Sequence, residues 1–95
     1  MKVGTSALKH GISELDILFA AENWAYASQP DDDIPAKQFV LGFDPNGRLL
    51  ELAILTFDSG QQLVIHAMKH DASTSTYLTE SAYRGNSVRP RSMRQ

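Results

Sequence analysis

The most regular pattern in the chain lies between Gln38 and Met68, where three apolar-rich runs are separated by two short polar breaks. The runs Gln38–Asp44, Arg48–Phe57 and Gln61–Met68 have strand length and are rich in branched and aromatic residues. The breaks Pro45-Asn46-Gly47 and Asp58-Ser59-Gly60 carry turn chemistry. Proline presets φ in the first, and each glycine supplies the positive φ that closes a three-residue hairpin loop. The pattern predicts an antiparallel β-meander.

With Asp44 opposite Arg48 and Phe57 opposite Gln61, the register aligns Leu41, Glu51 and Ala67 in one row. Val40, Leu52 and His66 form the next row, on the other face. One face then collects Phe39, Leu41, Phe43, Leu49, Ala53, Leu55, Phe57, Leu63 and Ile65, the expected seat of a helix. The other collects Val40, Leu50, Leu52, Ile54, Val64 and Met68. That face is too apolar to stay wet, so the C-terminal segment, a second copy of the chain or a partner protein is expected to cover it.

Helical patterning precedes the strands. Thr5 to Gly11 reads as a short turn capped by Thr5 and ended by Gly11. A firmer helix follows over Glu14–Asn23, with Ser13 as N-cap, Asp16 three residues on, and Ile12 and Ile17 at the positions of a hydrophobic staple. Leu15, Leu18, Phe19 and Glu22 recur at helical spacing, and Ile17, Ala20 and Ala21 widen that stripe. Trp24-Ala25-Tyr26-Ala27 suits a short first strand, and Gln29 to Pro35, with two prolines and three aspartates, breaks into a loop. Beyond Met68 a Ser/Thr-rich stretch, Ala72 to Ala82, suits a marginal helix. The residues from Arg84 onward suit a disordered tail. The expected organisation is therefore one α+β domain over residues 1–83, N-terminal helices packed on a three- to four-stranded antiparallel meander, with a basic tail over 84–95.

Composition narrows the function classes. Ninety-five residues, 42% apolar and 21% charged, support one core. The chain has no cysteine, which removes disulfides and thiolate zinc sites. It shows no leader or long apolar run, and the cytoplasm is the expected compartment with no membrane contact. Residues 1–80 carry five Lys/Arg against eleven Asp/Glu, whereas residues 81–95 carry four Arg and no acid. The body is thus not an electrostatic nucleic-acid binder, and any RNA contact must be local.

The ionisable groups that stand out are Lys9-His10, Arg48, Glu51, His66, Lys69-His70 and Tyr77. No phosphate-binding glycine loop, paired helical histidines at metal-ligand spacing or elbow serine is present, so nucleotide hydrolysis, zinc chemistry and acyl transfer find no support. Glu51 interrupts the apolar run Leu49 to Leu55, where a carboxylate is costly unless paired. A salt bridge to Lys9 or His10 and a role in a site are the two readings of it. His66 interrupts Leu63 to Met68 in the same way, and a half-buried, hydrogen-bonded histidine stands beside a functional one. Lys69-His70 at a strand end, Arg48 at a turn and Tyr77 as an anchor on the sheet all have ordinary structural readings. The tail arginines suit nucleic-acid binding or a solvated tail.

The motifs Lys9-His10-Gly11-Ile12-Ser13, Leu41-Gly42-Phe43-Asp44, Gly47-Arg48-Leu49-Leu50-Glu51-Leu52 and Val64-Ile65-His66-Ala67-Met68-Lys69 together resemble the BrnT-like toxins. These belong to the RelE/ParE-like superfamily of bacterial type II toxin–antitoxin systems. The resemblance spans about residues 8–69. It implies a RelE-like α+β toxin that cleaves RNA without metal or other cofactor and is restrained by a cognate antitoxin protein.

The implied chemistry is attack of a ribose 2′-hydroxyl on the neighbouring phosphorus, which needs a base, an acid and cations for the phosphorane charge. On this reading His66 and Glu51 are the acid–base pair, and Arg48 and Lys69 stabilise phosphate. Lys9, His10, His70, Tyr77 and Arg84 contact RNA. The expected register sets His66 and Glu51 on opposite faces unless the strand end twists or bulges. The chain departs from its relatives after Lys69, where His70-Asp71 replace a basic residue and the tyrosine arrives only at Tyr77. A weakened activity, with Arg84 or the tail substituting, is the corresponding expectation. The reading from another class is a non-catalytic module that binds a protein or dimerises through an apolar sheet face.

Overall fold

The computed structural model describes residues 1–70 and the short strand Ser87–Val88. The elements, in order, are β1 (Lys2–Val3), a 3-10 turn (Thr5–Leu8), α1 (Glu14–Glu22), β2 (Trp24–Ala27), β3 (Ala36–Phe43), β4 (Leu49–Thr56), β5 (Gln62–Lys69) and β6 (Ser87–Val88). They build one α-helix on a six-stranded sheet of order β1-β5-β4-β3-β2-β6. The fold is α+β as expected, but the arrangement differs from a helix pair on a three- to four-stranded meander. There is a single α-helix among the described residues, and the sheet is mixed because β1 runs parallel to β5. No helix among these residues is long and apolar enough to cross a membrane.

The two expected hairpins form where turn chemistry directs them. Asp44 N–H donates to Arg48 O at 2.8 Å, and Phe57 N–H donates to Gln61 O at 2.9 Å. Gly47 and Gly60 take φ of +81° and +90°, the left-handed conformation that only glycine adopts without cost. β3 and β4 then pair in the expected register, with Leu41 opposite Glu51 and Val40 opposite Leu52.

Helix α1 starts at its expected cap, where Ser13 Oγ accepts from Asp16 N–H at 3.2 Å. Ile12 and Ile17 of the staple are both buried. The 3-10 turn begins after Gly4, with Thr5 inside it rather than capping it. Gly11, at φ +81°, ends the segment as expected.

The helix lies on the opposite sheet face from the expected one. Its Ile17 and Ala20 join Val40, Leu50, Leu52, Ile54, Val64 and Ala67 in the core. Leu15 and Phe19, read as part of the core stripe, are exposed instead. Gly42 explains the choice. A methyl group placed there would fall 1.9 Å from Ala20 O, so the helix backbone rests directly on the strand where no side chain intervenes. Burying side chains such as Leu50, Leu52 and Val64, all at 0% exposure, contributes roughly 1.5–3 kcal/mol each.

The other face carries Tyr26, Phe39, Leu41, Phe43, Leu49, Glu51, Ala53, Leu55, Leu63, His66 and Met68 by register. Tyr26 and Leu41 are buried there, with the Tyr26 ring edge-on to Phe39 at 6.5 Å, and the rest are half-buried. The expectation of a covering element thus passes to this face. The marginal helix over 72–82 lies outside the described residues. Within the expected tail over 84–95, Ser87–Val88 pairs with Tyr26 and Ala27 as an edge strand; the other residues of that segment lie outside the described set.

Candidate active site

One irregularity in the β4–β5 ladder builds the site. From the hairpin outward, Thr56 pairs with Gln62, Leu55 with Leu63 and Ile54 with Val64; the next pair is Ala53 with His66. Ile65 has no partner on β4, so β5 carries one extra residue, a β-bulge. Side chains alternate along a strand, and one extra residue therefore sends everything beyond it to the opposite face. Ala67 moves into the core opposite Leu52, and His66 moves to the face of Glu51.

His66 and Glu51 consequently meet, with His66 Nε2 at 3.2 Å from Glu51 Oε1. The strand end adds a second imidazole. His70 N–H donates to Leu49 O at 2.8 Å, and its Nδ1 lies 3.3 Å from Glu51 Oε2. A carboxylate can only accept, so both ring nitrogens facing it carry hydrogen. The His66 side chain is 31% exposed, Glu51 20% and His70 6%, which orders them from solvent inward.

The third imidazole comes from the N-terminal segment. Gly4 N–H donates to Val64 O at 2.8 Å and Ser6 Oγ donates to the bulged Ile65 O at 2.7 Å, fastening the 3-10 turn along β5. That seat brings the His10 ring to 5.7 Å from His66, edge to face. His66 and His70 thus meet at Glu51, and His10 joins them through the ring of His66. The expected salt bridge of Glu51 to Lys9 or His10 is replaced by bonds to His66 and His70.

Other candidates are placed elsewhere. Arg48 is engaged at the β3–β4 turn, its Nε 2.6 Å from Asp44 Oδ2 and its terminal amine 3.8 Å from Asp16. Asp16 lies on α1, so Arg48 serves the helix-covered side and is not brought to Glu51. Lys69 sits opposite Leu50, on the same side, and is exposed. Lys9 is exposed beside His10. Tyr77 and Arg84 lie outside the described residues.

Asp44 shows what a purely structural carboxylate looks like in this fold. Burial pushes its carboxyl up. Hydrogen bonds from the Arg48 side chain and from the Arg48 and Asn46 amides, with the guanidinium charge, overcome that and hold it below the usual carboxylate range.

No group of three His, Cys, Asp or Glu among the described residues has metal-holding geometry. A cavity of about 280 Å³ beneath α1 is lined by Trp24, Ala27, Val40 and Ile54 with the amides of Gln38 and Gln62. It holds no ionisable side chain and lies on the helix-covered side, so it has no part in this chemistry. Comparison with known protein families, with curated proteins and with solved structures finds no match to this chain.

His66, Glu51, His70 and His10 all stand out in the sequence, and the contact of His66 with Glu51 needed the bulge that the regular register lacks. The bulge at Ile65 has no glycine or proline to mark it, and the approach of His10 depends on the packing of the 3-10 turn.

Proposed function

We propose that this chain is a small endoribonuclease, the toxin of a bacterial type II toxin–antitoxin pair, which cleaves RNA by 2′-hydroxyl attack at the His66–Glu51 cluster. The observation that carries the reading is the bulge-made contact of His66 with Glu51, backed by His70. A histidine whose one nitrogen is held by a carboxylate presents the other, in a set orientation, to accept a proton. Glu51 fixes the ring of His66, and the buried His70 fixes Glu51; these two are positioning residues. The partners on this reading are an RNA substrate and an antitoxin protein.

Expression of the chain alone in bacteria is expected to arrest growth and fragment RNA, and purified protein is expected to cleave RNA in the presence of a chelator. His66→Ala should abolish both effects while leaving the circular dichroism spectrum unchanged. Cleavage that persists in His66→Ala would overturn the assignment.

The partly exposed face bearing Phe39, Phe43, Leu49 and Leu55 favours a second reading, a non-catalytic binding or dimerisation module. That reading predicts a dimer in sedimentation that Leu49→Asp converts to monomer, with no RNA scission by either form.

A further inference from the structure

We infer that His10 is the general acid of the reaction, protonating the departing 5′-oxygen while His66 removes the 2′-proton. The inference rests on the ribonuclease reading and goes beyond it, because the chain's motifs point to His10 only as an RNA contact.

A phosphodiester cleaved by its own 2′-hydroxyl passes through a phosphorane with the attacking and leaving oxygens in line on opposite sides of phosphorus. The base and the acid must therefore be separate groups flanking one phosphorus, each within about 2.6–3.2 Å of its oxygen. Glu51 does not fill the second role. Both of its oxygens are engaged by imidazoles, and as a carboxylate it has no proton to give. His70 is 6% exposed and turned toward Glu51, which keeps it from a substrate lying on the surface. Lys69 and Arg48 belong to the other side of the sheet.

His10 satisfies each requirement that these groups fail. It is exposed, its ring centroid stands 5.7 Å from that of His66, and the two rings are inclined at 76° rather than stacked. The two imidazoles are thus neighbours on one surface, where one phosphodiester can reach both. The position is also held, since Gly4 and Ser6 tie the turn to Val64 and to the bulged Ile65, next to His66.

In the step itself the 2′-oxygen transfers its proton to His66 and forms the new bond to phosphorus. The bond from phosphorus to the 5′-oxygen breaks, and that oxygen takes the proton of the His10 imidazolium. The products are a 2′,3′-cyclic phosphate and a 5′-hydroxyl, with the two histidines exchanged in protonation. Lys9, next to His10 and exposed, is the cation the same turn offers to the phosphate.

The experiment compares two leaving groups, using dinucleoside monophosphates and the nucleoside 3′-(4-nitrophenyl phosphates) of all four bases. Nitrophenolate departs without needing a proton. His10→Ala and His10→Gln are each expected to slow dinucleotide cleavage by about 10²-fold or more, and to leave the aryl esters within about tenfold of wild type. His66→Ala should slow both substrates. Equal losses on both substrates in the two His10 variants, or no loss on either, would overturn the role of His10 while the ribonuclease reading stands. A wild-type protein that cleaves neither substrate overturns both.

Discussion

The two faces of the sheet are built from the same kinds of residue and do different work. Leu50, Leu52, Ile54 and Val64 on one side pack beneath α1, and the close seat of Ala20 on Gly42 leaves no room for a side chain there. Leu49, Ala53 and Leu55 on the other side come from the same strand, yet they surround Glu51, which engages His66 and His70. The difference teaches that apolar character did not decide which side the helix took. The absence of a side chain at Gly42 did, and the face left without the helix is the one where Glu51, His66 and His70 meet.

If that division is correct, variants of the helix-covered face should lose stability and variants of the other face should lose activity. The largest stability effect is expected at Leu52→Ala, which opens a cavity in a fully buried site and should cost about 3–4 kcal/mol in denaturant unfolding. Gly42→Ala follows. Its methyl group meets backbone rather than a movable side chain, and a loss of about 3 kcal/mol is expected, with α1 displaced from the strand.

Asp44→Asn should cost about 2 kcal/mol at neutral pH by weakening the charge-assisted bonds at the turn. Because the carboxyl of Asp44 is depressed in the folded state, its stabilisation is complete above the unfolded-chain value of about 3.9 and is lost as pH falls through the lower folded value. Unfolding curves of wild type should therefore shift with acid in that window more steeply than those of Asp44→Asn. The smallest change in stability, within about 1 kcal/mol, is expected for His66→Ala, whose side chain is partly solvated. Yet this variant should lose RNA cleavage by about 10²-fold or more. A His66→Ala protein that unfolds as readily as Leu52→Ala would erase the distinction between the faces.

Much of the fold was legible in the chain because local chemistry dictates it. Ser13 begins the helix, Gly47 and Gly60 close the hairpins, and the β3–β4 register follows from the first turn. The choice of face was not legible from hydrophobicity, since Phe39, Leu41 and Phe43 compete with Val40, Leu52 and Ile54. Gly42 in mid-strand was the available sign, as such a glycine often marks a close backbone approach. β1 is two residues long, too short to register as a pattern, and its parallel pairing arises only once β5 is in place. At the site, Glu51 and His66 stood out as polar breaks in apolar runs. Their meeting depended on the unpaired Ile65, which nothing in its residue type reveals.

That unpaired isoleucine makes the chemistry a matter of counting. Removing one codon at position 65 would leave His66 opposite Ala53 and Ala67 opposite Leu52 in a flush ladder, so both side chains would keep the faces they hold now. It is a chain that kept Ile65 but paired it with Ala53 that would set His66 opposite Leu52, toward the core, and push Ala67 outward, so the face His66 takes is decided by whether Ile65 is left out of the ladder.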